Sequence, residues 1–111
     1  MSKLDIHKIQ AAARSGRIRW RYHALLRARE RGIERQDALR VIQKGEILEE
    51  QPRTQPLPKC LMMAFMEGQR PLYVALGYDE QDNYLYIITV HWLDPSKWDD
   101  PWTRKPKKSK L

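Results

Sequence analysis

Tyr22 to Gly45 reads YHALLRARERGIERQDALRVIQKG, and how that stretch folds decides the rest of the chain. From His23 to Arg31 it is rich in Ala, Leu and Arg, all good helix formers, and Gly32 stands where a left-handed residue would stop a helix. Ala38, Leu39, Val41 and Ile42 then supply a second apolar face between Arg35 and Lys44, with Gly45 as its terminator. Residues 22–45 are therefore expected to form a helical hairpin with a very short connection.

Working upstream, Leu4, Ile6, Ile9 and Ala13 recur at near-helical spacing before Ser15 and Gly16, which predicts a short amphipathic helix over 4–14. Ile18 to Arg21 alternates apolar and basic residues around Trp20, as a short strand would. Downstream of Gly45 the pattern turns strand-like. Glu46 to Gln51 suits an acidic edge strand, and Pro52, Pro56 and Pro58 impose an extended loop. Residues 60–67, 71–78 and 84–93 then read as three antiparallel strands in consecutive order, joined by polar hairpin loops at 68–70 and 79–83.

The expected fold is α+β: an N-terminal helical hairpin packed on a three- to five-stranded antiparallel sheet. With 111 residues, one domain is the natural size. Residues 1–17 read as an N-terminal helix or extension, 18–99 as a single α+β domain, and 100–111 as a basic flexible tail. Trp98 and Trp102 offer a staple for the start of that tail.

The net charge of +7 is unevenly spread. Residues 1–45 carry a balance of +8, 46–96 one of −5, and 97–111 one of +4. Such asymmetry fits a cationic face that meets a polyanion, although an Arg-rich solvated surface would give the same count. The longest apolar runs are about half of what a membrane-spanning helix needs, so no membrane contact and a cytoplasmic location are expected. Cys60, the single cysteine, lies in an apolar run and reads as a buried, inert thiol.

His23, Arg27 and Arg31 are spaced by four and so share one helical stripe, flanked by Arg29 and Arg35. Like charges on one stripe repel, and a phosphate bound across Arg27 and Arg31 would relieve that repulsion through bidentate bonds. His23, in the first helical turn, could serve as a general base, or it could cap the helix or pack on Trp20. On the last strand, alternation puts Thr89 and His91 on one face with Leu85 and Ile87, leaving His91 toward either core or cleft. Tyr73 and Lys59 complete the candidates for chemistry and phosphate contact. The histidines at 7, 23 and 91 with one distant cysteine match no zinc spacing, and no phosphate-cradling glycine loop is present, so neither a metal nor a cofactor is expected.

The residues Ile18-Arg19-Trp20-Arg21-Tyr22-His23-Ala24, Glu30-Arg31-Gly32-Ile33 and Gly45-Glu46-Ile47-Leu48-Glu49 resemble a bacterial domain-of-unknown-function family numbered 4258. Arg70-Pro71-Leu72-Tyr73-Val74 and Ile87 to Trp92 look like its two closing strands, so the likeness runs over roughly residues 18–98. The sequence departs from the pattern at Glu34, where a Ser-type cap is usual, and at His91, where a tyrosine is common. The resemblance implies a fold similar to the RelE and ParE toxin superfamily, some members of which cleave messenger RNA on the ribosome. It implies a toxin-like RNA-targeting protein, as a metal-free ribonuclease or translation inhibitor of a toxin–antitoxin module with a small antitoxin partner. His23 and His91 would carry protons, with Arg27 and Arg31 clamping the phosphate. A non-enzymatic RNA-binding or ribosome-associated module, and a domain that acts through a protein partner, stand beside it as alternatives.

Overall fold

Asp5 caps the first helix, its carboxylate accepting the His7 backbone N–H at 2.9 Å, and the chain that follows is described over residues 4–106 by a computed structural model. Helix α1 spans Ile6–Arg14 and buries Ile9, Ala12 and Ala13. It docks on the third helix, where the Gln10 amide donates to the carbonyls of Ile42 and Gln43. Strand β1 (Ile18–Trp20) leads into α2 (Tyr22–Glu30), and α3 (Arg35–Lys44) follows after the tight turn at Gly32, whose φ of +67° any side chain would strain. At the start of α3 the Asp37 carboxylate accepts the Glu34 backbone N–H at 2.9 Å, so an acid three residues on ties down the helix start that lacks a Ser-type cap. The expected hairpin is thus α2–α3, and the helix expected upstream of it, α1, joins them in a helical layer of three.

Gly45 ends α3 in extended conformation, where a Cβ would collide with the carbonyls of Val41 and Met63. That close approach lets the chain turn directly into β2 (Glu46–Gln51) at the sheet edge. Strands β3 (Lys59–Met66), β4 (Arg70–Asp79) and β5 (Tyr84–Trp92) follow. The sheet has five strands in the order β1-β5-β4-β3-β2.

Two expectations about the sheet need correction. It is mixed, not antiparallel: β1 pairs parallel with β5, Ile18 opposite Leu85 and Trp20 opposite Ile87. Two α-helices and three strands separate them in the chain, a connection long enough for the crossover that a parallel pair requires. The Arg17 guanidinium, bonded at 2.9 Å to the carbonyls of Asp82 and Asn83, anchors the start of β1. The second correction lies within β5. Ala75 pairs with Thr89 but Leu76 with Ile87, so Ile88 is an extra residue and the strand is bulged there. Beyond a bulge the alternation reverses. Leu85, Ile87, Val90 and Trp92 therefore face the helices, while Thr89 and His91 face away from them instead of sharing the side of Leu85 and Ile87.

The main core lies between the three helices and the sheet, with Ile9, Val41, Ile42, Met62, Val74, Leu76 and Ile87 fully enclosed. A smaller cluster covers the opposite face, where Leu61, Met63 and Tyr73 pack under Trp98. Residues 93–104 cross that face as a strap. Trp98 is 3% exposed and pairs with Arg104 across a turn, so the stretch expected as tail from residue 100 is packed through Arg104. Residues 107–111 of that expected tail lie outside the described residues. Among the described residues no helix is long and apolar enough to cross a membrane.

Candidate functional site

The strap and the bulged strand between them build a cleft. Tyr73 and His91 stand opposite one another on β4 and β5, and their rings stack at 5.3 Å with 7° between planes. Trp98 stacks on the other side of Tyr73 at 4.8 Å, and the Tyr73 hydroxyl donates to the Pro101 carbonyl at 2.7 Å. Tyr73 is fully buried, and that burial raises its pKa. It is a pillar under His91, with its phenol committed to the strap.

Above this pillar opens a cleft of about 460 Å³, bounded by Arg31, Thr89, His91, Asp94, Lys97 and Arg104. Arg31 arrives from the end of α2. Its guanidinium donates to the Val90 carbonyl at 2.7 Å, while the Trp92 indole N–H donates to the Arg31 carbonyl at 2.9 Å. That reciprocal pair locks the helix end to the otherwise open edge of β5. Arg104 comes from the strap, held bidentately by Glu49 at 2.8 and 3.1 Å and lying over the Trp98 ring at 4.6 Å. Lys97 completes the cationic set.

His91 is half-buried at the centre. Burial is the first cause that lowers its pKa from 6.5 to about 4, and Arg31, Lys97 and Arg104 lower it further, with only Asp94 opposing. At neutral pH the imidazole is therefore uncharged and able to accept a proton. An anion entering among the three cations would offset their repulsion of the imidazolium.

The remaining residues singled out from the sequence lie elsewhere. His23 is exposed, its ring edge-on to Tyr22 at 5.8 Å, and it sits eight residues before Arg31, about 12 Å along a helix axis. Arg27, Arg29 and Arg35 are exposed and line none of the cleft. Lys59 is half-buried in a neighbouring pocket that shares Thr89, His91 and Arg104 with the cleft. The structure thus gathers Arg31 and His91 from the expected set, sets Tyr73 beneath them and Lys59 beside them, and leaves His23, Arg27, Arg29 and Arg35 on the outer helical surface.

Lys97 and Arg104 escape the sequence reading, which marks Trp98 only as a staple, because their segment lacks apolar periodicity. Their signal in the sequence is turn chemistry, Asp-Pro at 94–95 and again at 100–101. Among the described residues no group of three or more His, Cys, Asp or Glu is placed to hold a metal ion. The family described as Domain of unknown function (DUF4258) matches residues 20–92, which takes in α2, β4 and β5 but stops short of the strap. No curated protein matches the chain.

Proposed function

We propose that this chain, which belongs to the DUF4258 family, binds RNA by seating backbone phosphate in the cleft over His91. One observation carries the reading: Arg31, Lys97 and Arg104, from a helix end and two points of the strap, converge on one open cleft around a neutral histidine. The guanidinium N–H groups that Glu49 and Val90 do not engage suit phosphate oxygens, and clustering cations around a half-buried histidine costs repulsion that a bound anion would relieve. The overall charge of +7 would steer a polyanion toward the protein.

The toxin-like reading, which the sequence resemblance implies, builds on the same cleft. In it, neutral His91 takes the proton of a ribose 2′-hydroxyl and the 2′-oxygen attacks phosphorus. The bond to the 5′-oxygen breaks, Lys97 protonates that oxygen, and the His91 imidazolium returns its proton to Lys97 through water. Arg31 and Arg104 balance the charge of the phosphorane.

Fluorescence anisotropy with a single-stranded RNA tests binding. With three phosphate contacts, the logarithm of affinity should fall against the logarithm of salt with a slope of about −2, and Lys97→Gln should reduce that slope by about 0.7. Binding that ignores both salt and Lys97 would overturn the reading. The cleavage step is tested by His91→Gln, which should keep affinity and abolish formation of 2′,3′-cyclic phosphate ends.

A further inference from the structure

We infer that the smaller pocket beside the cleft is a subsite for one unpaired nucleobase, so that the RNA ligand is single-stranded. The inference rests on the phosphate reading of the cleft and adds to it what the cleft alone does not specify. The pocket holds about 210 Å³, below the roughly 300–1,000 Å³ of sites that enclose a drug-sized molecule, which suits one flat ring system. It adjoins the cleft through shared walls, Thr89, His91 and Arg104, so a base and its own phosphate have neighbouring sites.

Its chemistry is that of a base site. Leu61, Ala75 and Ile88 give it an apolar floor, and the bulge at Ile88 is what brings that side chain in beside Thr89. At the rim stand an acceptor and a donor for the edge of a base. Glu49 presents a carboxylate fixed by two bonds from Arg104, and each of its oxygens keeps a further lone pair. Gln51 adds an amide whose N–H₂ can donate. Arg104 therefore joins the two sites, orienting Glu49 at the rim while contributing its charge to the cleft. A bare phosphate or a sugar-phosphate chain needs none of this. Paired bases, with their edges occupied and their faces stacked, would not enter.

The test compares probes of equal charge on the unaltered full chain at low salt: a single-stranded RNA oligomer, the same oligomer without bases, and an RNA duplex. The base-bearing strand should bind at least about ten-fold more tightly than the abasic one, the order expected for one enclosed base, and more tightly than the duplex. Ala75→Leu, which fills the floor, should erase that difference and leave abasic affinity unchanged; Gln51→Ala at the exposed rim should reduce it if the first variant does not fold. Equal affinity for base-bearing and abasic strands overturns the base subsite and leaves the phosphate cleft standing. If neither strand binds, the phosphate reading falls and the subsite with it.

Discussion

His91 should make the protein acid-sensitive by an amount that can be worked out. Its pKa falls from 6.5 to about 4 on folding, so the folded state holds fewer protons than the unfolded one between those values. The sign follows: this stability is fully kept above pH 6.5 and lost as pH drops toward 4, where the unfolded chain gains a proton that the folded chain refuses. Comparing the two titrations, the loss reaches at most about 2.5 kcal/mol by about pH 4.5. For a domain of this size that corresponds to a drop of roughly 10 °C or more in melting temperature. Carboxylates held low, such as Asp94 through its bonds from Ser96, add their own acid loss, so the wild type alone is not diagnostic. Urea unfolding of wild type and His91→Gln at pH 7.5 and at pH 4.5 isolates the imidazole, since only the wild type should show the extra loss. Equal acid losses in both proteins, or an imidazole that titrates near 6.5 by NMR in the folded state, would refute the placement of His91 among buried and cationic neighbours.

Three further outcomes are expected. Gly45→Ala should destabilise by about 1–3 kcal/mol in thermal or urea melts, because a methyl group there meets two backbone carbonyls that cannot move aside cheaply. Trp98→Ala should cost about 3–5 kcal/mol and, by loosening the strap, return the titration of His91 toward 6.5; a stable variant with His91 unchanged would show that the strap does not cover the cleft. Arg31→Gln should lose about 1 kcal/mol through its bond to the Val90 carbonyl, whereas Arg27→Gln should stay within about 0.5 kcal/mol of wild type, and equal effects would contradict the different placement of the two arginines.

The α2–α3 hairpin was readable because its determinants are local. Helix formers, Gly32 at positive φ and Gly45 at the close approach to Met63 all act within a few residues of where they stand. The parallel pairing of Ile18 with Leu85 depends on residues far apart in the chain, and nothing in a three-residue strand announces its partner. Alternation also misassigned the faces of β5, since one unpaired residue at Ile88 inverts every position after it and leaves no mark in the hydrophobic pattern. The site inherits that inversion. Without the bulge His91 would point at the helices; with it, His91 stacks on Tyr73 and faces the strap.

The arginine stripe dissolved for a related reason. Spacing by four does set Arg31 one turn beyond Arg27, its N–H bonded to the Arg27 carbonyl at 3.0 Å, but α2 ends at Glu30 and nothing holds the Arg31 side chain along the helix. Arg31 is its C-cap, and its side chain leaves the stripe for the edge of β5. The charge lost from that stripe is replaced from a segment whose composition suggests a tail. Apolar periodicity is the wrong instrument there, because the strap is held by turns: the Asp94 carboxylate accepts the Ser96 N–H at 2.9 Å, and the Asp100 carboxylate accepts the Trp102 N–H at 2.8 Å. Each aspartate precedes a proline, which fixes φ where the turn begins and leaves the carboxylate to bond two residues on. Between the two turns Trp98 is pinned on Tyr73, and the ordered backbone on either side carries Lys97 and Arg104 to the same cleft. Two Asp-Pro turns and one buried tryptophan thus convert a basic, proline-rich stretch into the wall of a site, and place its cations within reach of an imidazole that the β5 bulge has turned to meet them.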